Sequence, residues 1–187
     1  VTDHQLRYSN GFGFTDLENY VPAKPNSVYR LASISKTITA VAVMQLVETK
    51  KIDLDVSAQQ YCPTFPKKRW PVTSRQLLGH LGGVRSYQGE EMTSTRHYNN
   101  LVDGLNMFKN DPLLHEPGTK YSYSSYGFNL LGCVVEGASG ETFPDYIQKH
   151  IFDPTTMSHI QSDHVHRIIY NRVRGYKKGE NDMPVNA

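Results

Sequence analysis

The stretch from Ser33 to Thr49 constrains the fold of this chain more than any other. Ile34, Ile38, Val41, Ala42, Val43, Met44, Leu46 and Val47 fall around most of the circumference of a helix. A helix apolar on most sides is expected to be buried on most sides. Serine and threonine crowd its start, as N-caps do, and Lys50-Lys51 closes it at the negative end of the helix dipole. Around it the periodicity is mixed. Residues 5–14 alternate and carry Leu6, Tyr8, Phe12 and Phe14, which predicts a strand, with Gly11 and Gly13 marking a bulge or a close backbone approach. Residues 28–31 read as a short extended piece and 52–71 as loop. Thr73 to His80 reads as a short helix stopped by Gly82-Gly83. Residues 96–109 are amphipathic, Phe128–Ala138 and Thr142–Ile151 read as helices, and Arg167–Tyr176 reads as a strand returning to a sheet.

The same dominant helix opens on the chemically sharpest pattern in the chain, Ser33-Ile34-Ser35-Lys36. Residues three apart on a helix share a face, so the Lys36 amine is within reach of the Ser33 hydroxyl. A hydroxyl is a weak nucleophile until a base takes its proton. An amine acts as that base only when neutral, a state favoured by burial and by the positive end of a helix. The alternative is a capping Ser33 with Lys36 snorkelling to the surface. Context favours the first reading, because a surface lysine is out of place at the head of the most apolar helix. Ser35 is a competing hydroxyl but faces another direction. A second segment, Tyr121-Ser122-Tyr123-Ser124-Ser125-Tyr126-Gly127, follows the turn Pro117-Gly118-Thr119. It reads either as an aromatic loop packed on a core or as the source of a tyrosine hydroxyl that passes a proton to a leaving group.

Bulk properties narrow the field. A chain of 187 residues with 38% hydrophobic and 20% charged residues is long and apolar enough for one globular core. A net charge of +2 with no basic run beyond Lys67-Lys68-Arg69 argues against nucleic acid as a partner. That triplet reads as a solvated loop. No apolar run reaches the length of a membrane span. The polar start without Met suggests a processed or partial chain. Cys62 and Cys133 are too few for a disulfide framework, and the unpaired reading is favoured, with Cys133 a small buried hydrophobe. His164 and His166 lack an acidic or Cys cluster at helical spacing, so no metal and no other cofactor is expected.

Three ordered segments resemble one family, and two more carry a narrower likeness within it. Arg30-Leu31-Ala32-Ser33-Ile34-Ser35-Lys36 resembles the nucleophile motif shared by class C β-lactamases, D-Ala-D-Ala carboxypeptidases and family VIII esterases. Leu77-Leu78-Gly79-His80-Leu81-Gly82-Gly83 is similar to that group's LLxHxSG segment. Pro117-Gly118-Thr119 through Leu131-Gly132 resembles its PG…YSNxGYxLLG stretch. Residues 108–113 and 169–172 carry a narrower likeness to the lactamase-like serine peptidases of mitochondria and their bacterial relatives.

The resemblance implies an α/β (α+β) fold of β-lactamase/transpeptidase type, an antiparallel sheet flanked by helices plus a helical region. Residues 1–187 would form one partial domain, with 1–51 and 156–187 as its α/β part, 52–155 as its helical region, and both ends of the parent domain missing. It implies a serine hydrolase working through an acyl-enzyme on amide or ester bonds of a small-molecule or peptide substrate. Ser33 would be the nucleophile, Lys36 its base, and Tyr123 the tyrosine of the family's Y-x-N motif. Ser125 would stand at that motif's third place as a substrate-binding residue, with one hydroxyl where asparagine offers a carbonyl and an NH₂. This departure fits the peptidase-like branch better than β-lactam turnover. His80 would be structural. The family's K/H-T/S-G triplet has no match: Lys177-Lys178-Gly179 lacks the hydroxyl residue and reads as a polar turn. The strand bearing that triplet supplies one oxyanion-hole N–H, and losing one such donor typically costs about 10²–10³ in rate. Its absence supports the rival reading, a scaffold that keeps the fold without activity. For compartment, a bacterial envelope ranks before a mitochondrion, because residues 87–100 carry no long charged insertion.

Overall fold

A computed structural model describes residues 1–94, 96–164 and 166–186. The chain divides into two compact units, Ala32–Ser162 and the pair of segments Val1–Leu31 with Asp163–Ala187.

The unit Ala32–Ser162 is built on helices α1 (Ser35–Glu48), α2 (Ser74–Leu78), α3 (Leu101–Leu105), α4 (Ser125–Ser139) and α5 (Phe143–Ile147). α4 begins where Ser124 accepts the Gly127 N–H at 2.9 Å and ends at Gly140, whose φ is +75°. Its Leu130, Leu131, Val134 and Val135 are fully buried. They meet α1 through Ala42, Val43 and Leu46, the i, i+1, i+4 stripe that helix geometry puts on one face. Leu77, Leu105, Phe108, Ile147 and Phe152 complete this core. α5 is capped by Thr142, which accepts the Asp145 N–H, and runs on into a wider turn at Gln148–Phe152.

The full burial expected of the first helix is not found. Ile34 is 63% exposed, and Val41 and Met44 are also exposed. Apolar residues surround α1, and among the described residues only the side facing α4, α5 and the turn Gln148–Phe152 is covered. The amphipathic stretch 96–109 is helical only over Leu101–Leu105.

The two cysteines are joined, against the expectation from their number: Cys62 and Cys133 form a disulfide with Cα atoms 5.6 Å apart. Cys133 is buried, as expected of it, but as half of a cross-link. The bond fastens α4 to the turn Ala58–Gln60 and the residues after it. One helical turn further on, a Cβ on Gly137 would stand 1.7 Å from the Tyr61 carbonyl oxygen. The disulfide and the glycine together mark a place where helix and loop backbones touch.

The other unit carries β1 (Phe14–Asp16) paired antiparallel with β2 (Val21–Pro22), and β3 (Tyr176–Lys178) paired antiparallel with β4 (Pro184–Asn186). The strand expected over 5–14 is confined to its last residue, and Leu6, Tyr8 and Phe12 are exposed. The glycine reading holds at Gly11, where a Cβ would meet the Ala23 backbone at 2.4 Å. The strand expected over 167–176 begins at Tyr176, and Lys177 and Lys178 lie on it rather than in a turn.

Candidate active site

The α1 helix is preceded by a 3-10 turn, Ala32–Ile34, so Ser33 sits just before the α-helix rather than within it. Ile34 is the N-cap residue and no side chain caps the helix there. The Ser33 hydroxyl is turned instead towards Tyr123, with 2.8 Å between the two oxygens. Ala32 holds φ +47°, a left-handed conformation that costs a residue with a Cβ of order 1–3 kcal/mol and clusters at functional sites. The strained peptide is the one that leads directly into Ser33.

Lys36, one turn on, is half-buried. Its ammonium nitrogen donates to Ser33 Oγ at 3.3 Å and to Ser125 Oγ at 3.1 Å. It also lies 4.8 Å from the Tyr123 ring centroid and 5.7 Å from that of Phe128, within range of cation–π attraction. Ser35 is exposed on the first residue of α1, and its carbonyl accepts the Thr39 hydroxyl. Ser33, Lys36, Tyr123 and Ser125 therefore meet in one polar cluster, and Ser35 points its backbone into the helix.

Hydrogen bonds from Lys36 and then Ser33 hold the Tyr123 phenol below its ordinary pKa of 10.0. The ionised phenolate is the form those donors favour. His80 lies beside this cluster, its ring centroid 4.5 Å from that of Tyr123. Burial, and next the charge of Lys36, pull the His80 pKa below 6.5.

Behind the cluster stands a network the sequence did not reveal. Arg85, 8% exposed, donates to both oxygens of Glu91 at 2.7 and 3.0 Å, to Asp111 at 2.5 Å and to the Met107 carbonyl at 2.7 Å. The Arg85 carbonyl in turn accepts the Ser124 hydroxyl at 2.7 Å, which fixes the start of α4 and hence Ser125. The Tyr126 hydroxyl donates to Glu91 at 3.0 Å. Nothing around Arg85 in the sequence marks it out, and the partners of its side chain, Glu91, Met107 and Asp111, follow 6 to 26 residues later. Among the described residues no group of three or more His, Cys, Asp or Glu is placed to hold a metal ion.

The sequence matches the Beta-lactamase family over residues 1–187, and the chain belongs to that family. The human mitochondrial serine beta-lactamase-like protein LACTB is 31% identical to it over an alignment 249 positions long, covering 96% of this chain and 45% of that protein. A penicillin-binding protein from Bacillus halodurans superposes with a TM-score of 0.82 at 30% identity, covering 94% of this chain and 54% of that one. An octameric penicillin-binding protein homologue from Pyrococcus abyssi superposes with a TM-score of 0.83 at 26% identity, covering 100% and 44%. The chain spans about half the length of these relatives. The fold is β-lactamase/transpeptidase-like and mixed α/β, as the ordered motifs implied, and the family supports a hydrolase-type function. No helix among the described residues is long and apolar enough to cross a membrane.

Proposed function

We propose that this chain carries the nucleophile of a serine hydrolase that works through an acyl-enzyme on an amide or ester of a small molecule or peptide. One observation carries the reading: Ser33 Oγ lies 2.8 Å from the Tyr123 hydroxyl and 3.3 Å from Lys36 Nζ. Nucleophile, base and proton carrier are thus in mutual hydrogen-bond reach, the arrangement covalent catalysis requires. In its neutral form Lys36 takes the Ser33 proton as Oγ bonds to the substrate carbonyl carbon. Tyr123 then gives its proton to the departing amine or alcohol as the carbon–heteroatom bond breaks, and recovers one from Lys36. Water, giving a proton to the same pair, bonds to the acyl carbon; the bond from that carbon to Ser33 Oγ breaks, Oγ takes the proton back, and the acid leaves. Ser125, 3.1 Å from Lys36, lies beside the reacting oxygen and offers a hydroxyl to the substrate.

The test is labelling with a fluorophosphonate, read by intact mass and peptide mapping. A single adduct on Ser33, abolished by Ser33→Ala and strongly slowed by Lys36→Ala, is the expected result. The rival reading is a scaffold that keeps the fold without activity. It predicts no adduct at Ser33 either in this chain or in a longer protein containing it.

A further inference from the structure

Tyr123 stands between two backbone N–H groups that are both anchored on one residue. The Ser122 N–H donates to the His80 carbonyl oxygen at 2.8 Å. The Ser124 N–H donates to His80 Nδ1 at 3.2 Å. The His80 ring also lies against the Tyr123 ring at a tilt of 36°, with Phe128 5.2 Å and Tyr121 5.8 Å away between centroids. A single residue therefore grips the Tyr123 backbone on both sides and supports its ring.

The seat His80 occupies is one that glycine normally fills. Its φ is +57°. Its N–H donates to the Leu77 carbonyl at 3.1 Å, and the Leu81 N–H reaches back to Gln76 at 2.7 Å. This pair of bonds is the Schellman closure of α2, with His80 at the left-handed position. The helix stops at Leu78, ahead of the Gly82-Gly83 pair that the sequence pointed to. A closure that only had to end a helix would be met best by glycine. The imidazole in this seat makes contacts that glycine would lack, to the Ser124 N–H and the Tyr123 ring.

We propose that His80 is a positioning residue for Tyr123: its neutral ring, protonated on Nε2, accepts the Ser124 N–H and aims the phenol at Ser33, and protonation in mild acid releases it. The inference rests on the acyl-transfer reading above and adds a pH-sensitive support to it. An imidazolium has two N–H donors and no acceptor, so it cannot receive the Ser124 N–H. The titratable and charged groups facing His80 are Lys36 from α1 and Tyr121 and Tyr123 from the segment before α4. A protonated ring would add a second positive charge beside Lys36. Burial first, and Lys36 second, keep the His80 pKa below 6.5, so the ring is neutral at pH 7 and above.

Two variants separate the support from the helix closure. His80→Asn places a carboxamide oxygen where Nδ1 lies, tolerates the left-handed backbone and does not titrate. His80→Gly suits the backbone but removes the acceptor. Two readouts are needed on the full chain: the rate of Ser33 labelling by a fluorophosphonate from about pH 5 to about pH 9, and NMR of the His80 ring nitrogens and the Tyr123 Cζ carbon. The expected result has four parts. The His80 resonances show Nδ1 unprotonated at neutral pH, and the Tyr123 signal shifts as His80 takes up its proton. Wild-type labelling falls on an acid limb below pH 6.5. His80→Gly, folded by circular dichroism, labels about tenfold slower or worse at pH 8. His80→Asn restores most of that rate and lacks the acid limb.

A protonated Nδ1 at neutral pH, an unslowed His80→Gly, or an acid limb that persists in His80→Asn overturns the proposal. If wild-type Ser33 takes no label either here or in a longer protein containing this chain, the acyl-transfer reading fails, and the NMR arm alone decides whether His80 controls Tyr123. If His80→Gly does not fold, His80→Asn and the wild-type spectra decide.

Discussion

The Ser33 and Tyr123 hydroxyls share one hydrogen bond, 2.8 Å long, across ninety residues of chain. One partner comes from the turn before α1 and the other from the segment before α4, and the α1–α4 packing is what brings them together. The bond ties nucleophile and proton carrier into one unit with Lys36. Tyr123→Phe removes a single oxygen and leaves the ring stack on His80 intact. Ser33 labelling and turnover are expected to fall by about 10²–10⁴, the usual contribution of a positioned acid or base. The melting temperature should move little, because Tyr123 is exposed. An undiminished rate in Tyr123→Phe would remove tyrosine from the mechanism.

The contact of α4 with the loop at Tyr61–Cys62 makes two predictions of one kind. The Cys62–Cys133 bond closes a segment of 71 residues; reducing it should lower stability by about 2–5 kcal/mol, chiefly by loosening the unfolded chain. Differential scanning fluorimetry with and without a phosphine reductant measures this. Gly137→Ala forces a methyl into the Tyr61 carbonyl, and its neighbour there is backbone, which cannot rotate away. Overpacking of this kind typically costs about 1–3 kcal/mol, so this variant should melt well below wild type even in its oxidised form. A Gly137→Ala protein as stable as wild type would mean that helix and loop do not meet there.

Acid should undo the Arg85 network in a defined window. The Arg85 hydrogen bonds, and next the Gln88 N–H, hold the Glu91 carboxyl down to about 2, from an ordinary 4.5. A carboxylate with a depressed folded-state pKa stabilises the fold above its unfolded value, and that contribution is lost as pH falls through the folded one. The Glu91 contribution should therefore be whole above pH 4.5 and disappear between there and about pH 2. Glu91→Gln should flatten that part of the stability curve, measured by urea unfolding at a series of pH values. Burial, with Glu91 next to it, pushes the Tyr126 hydroxyl up to about 12, so it stays a donor throughout.

The parts of this site legible in the sequence are those set by short spacing. Ser33 and Lys36 are three apart, and helix geometry alone brings them together. α4 and α5 are legible as the apolar stretches 128–138 and 142–151, although α4 begins three residues earlier, at the Ser124 cap. The parts that were not legible depend on distant partners. Neither Cys62 nor Cys133 carries any mark of the other. The first helix reads as buried all round because periodicity records which residues are apolar, not which neighbours arrive to cover Ile34 or Met44. The end of α2 was misplaced because a histidine took the left-handed position and the glycines lay further on. The hydrogen bond that the His80 ring accepts comes from Ser124, 44 residues away.

The residue before the nucleophile provides the last prediction. Ala32 holds φ +47°, and glycine is indifferent to the sign of φ where alanine is not. Ala32→Gly should therefore relieve native-state strain, while also giving the unfolded chain more freedom to lose. The strain, of order 1–3 kcal/mol, exceeds the entropic loss of about 0.4–1 kcal/mol, so the melting temperature should rise. The same change frees the peptide that aims Ser33 at Tyr123, so labelling of Ser33 should slow as stability increases. The two measurements on one variant, a thermal melt and a labelling rate, distinguish strain that serves the nucleophile from strain that is incidental. A more stable variant that labels as fast as wild type would assign the left-handed turn at Ala32 to the chain path alone.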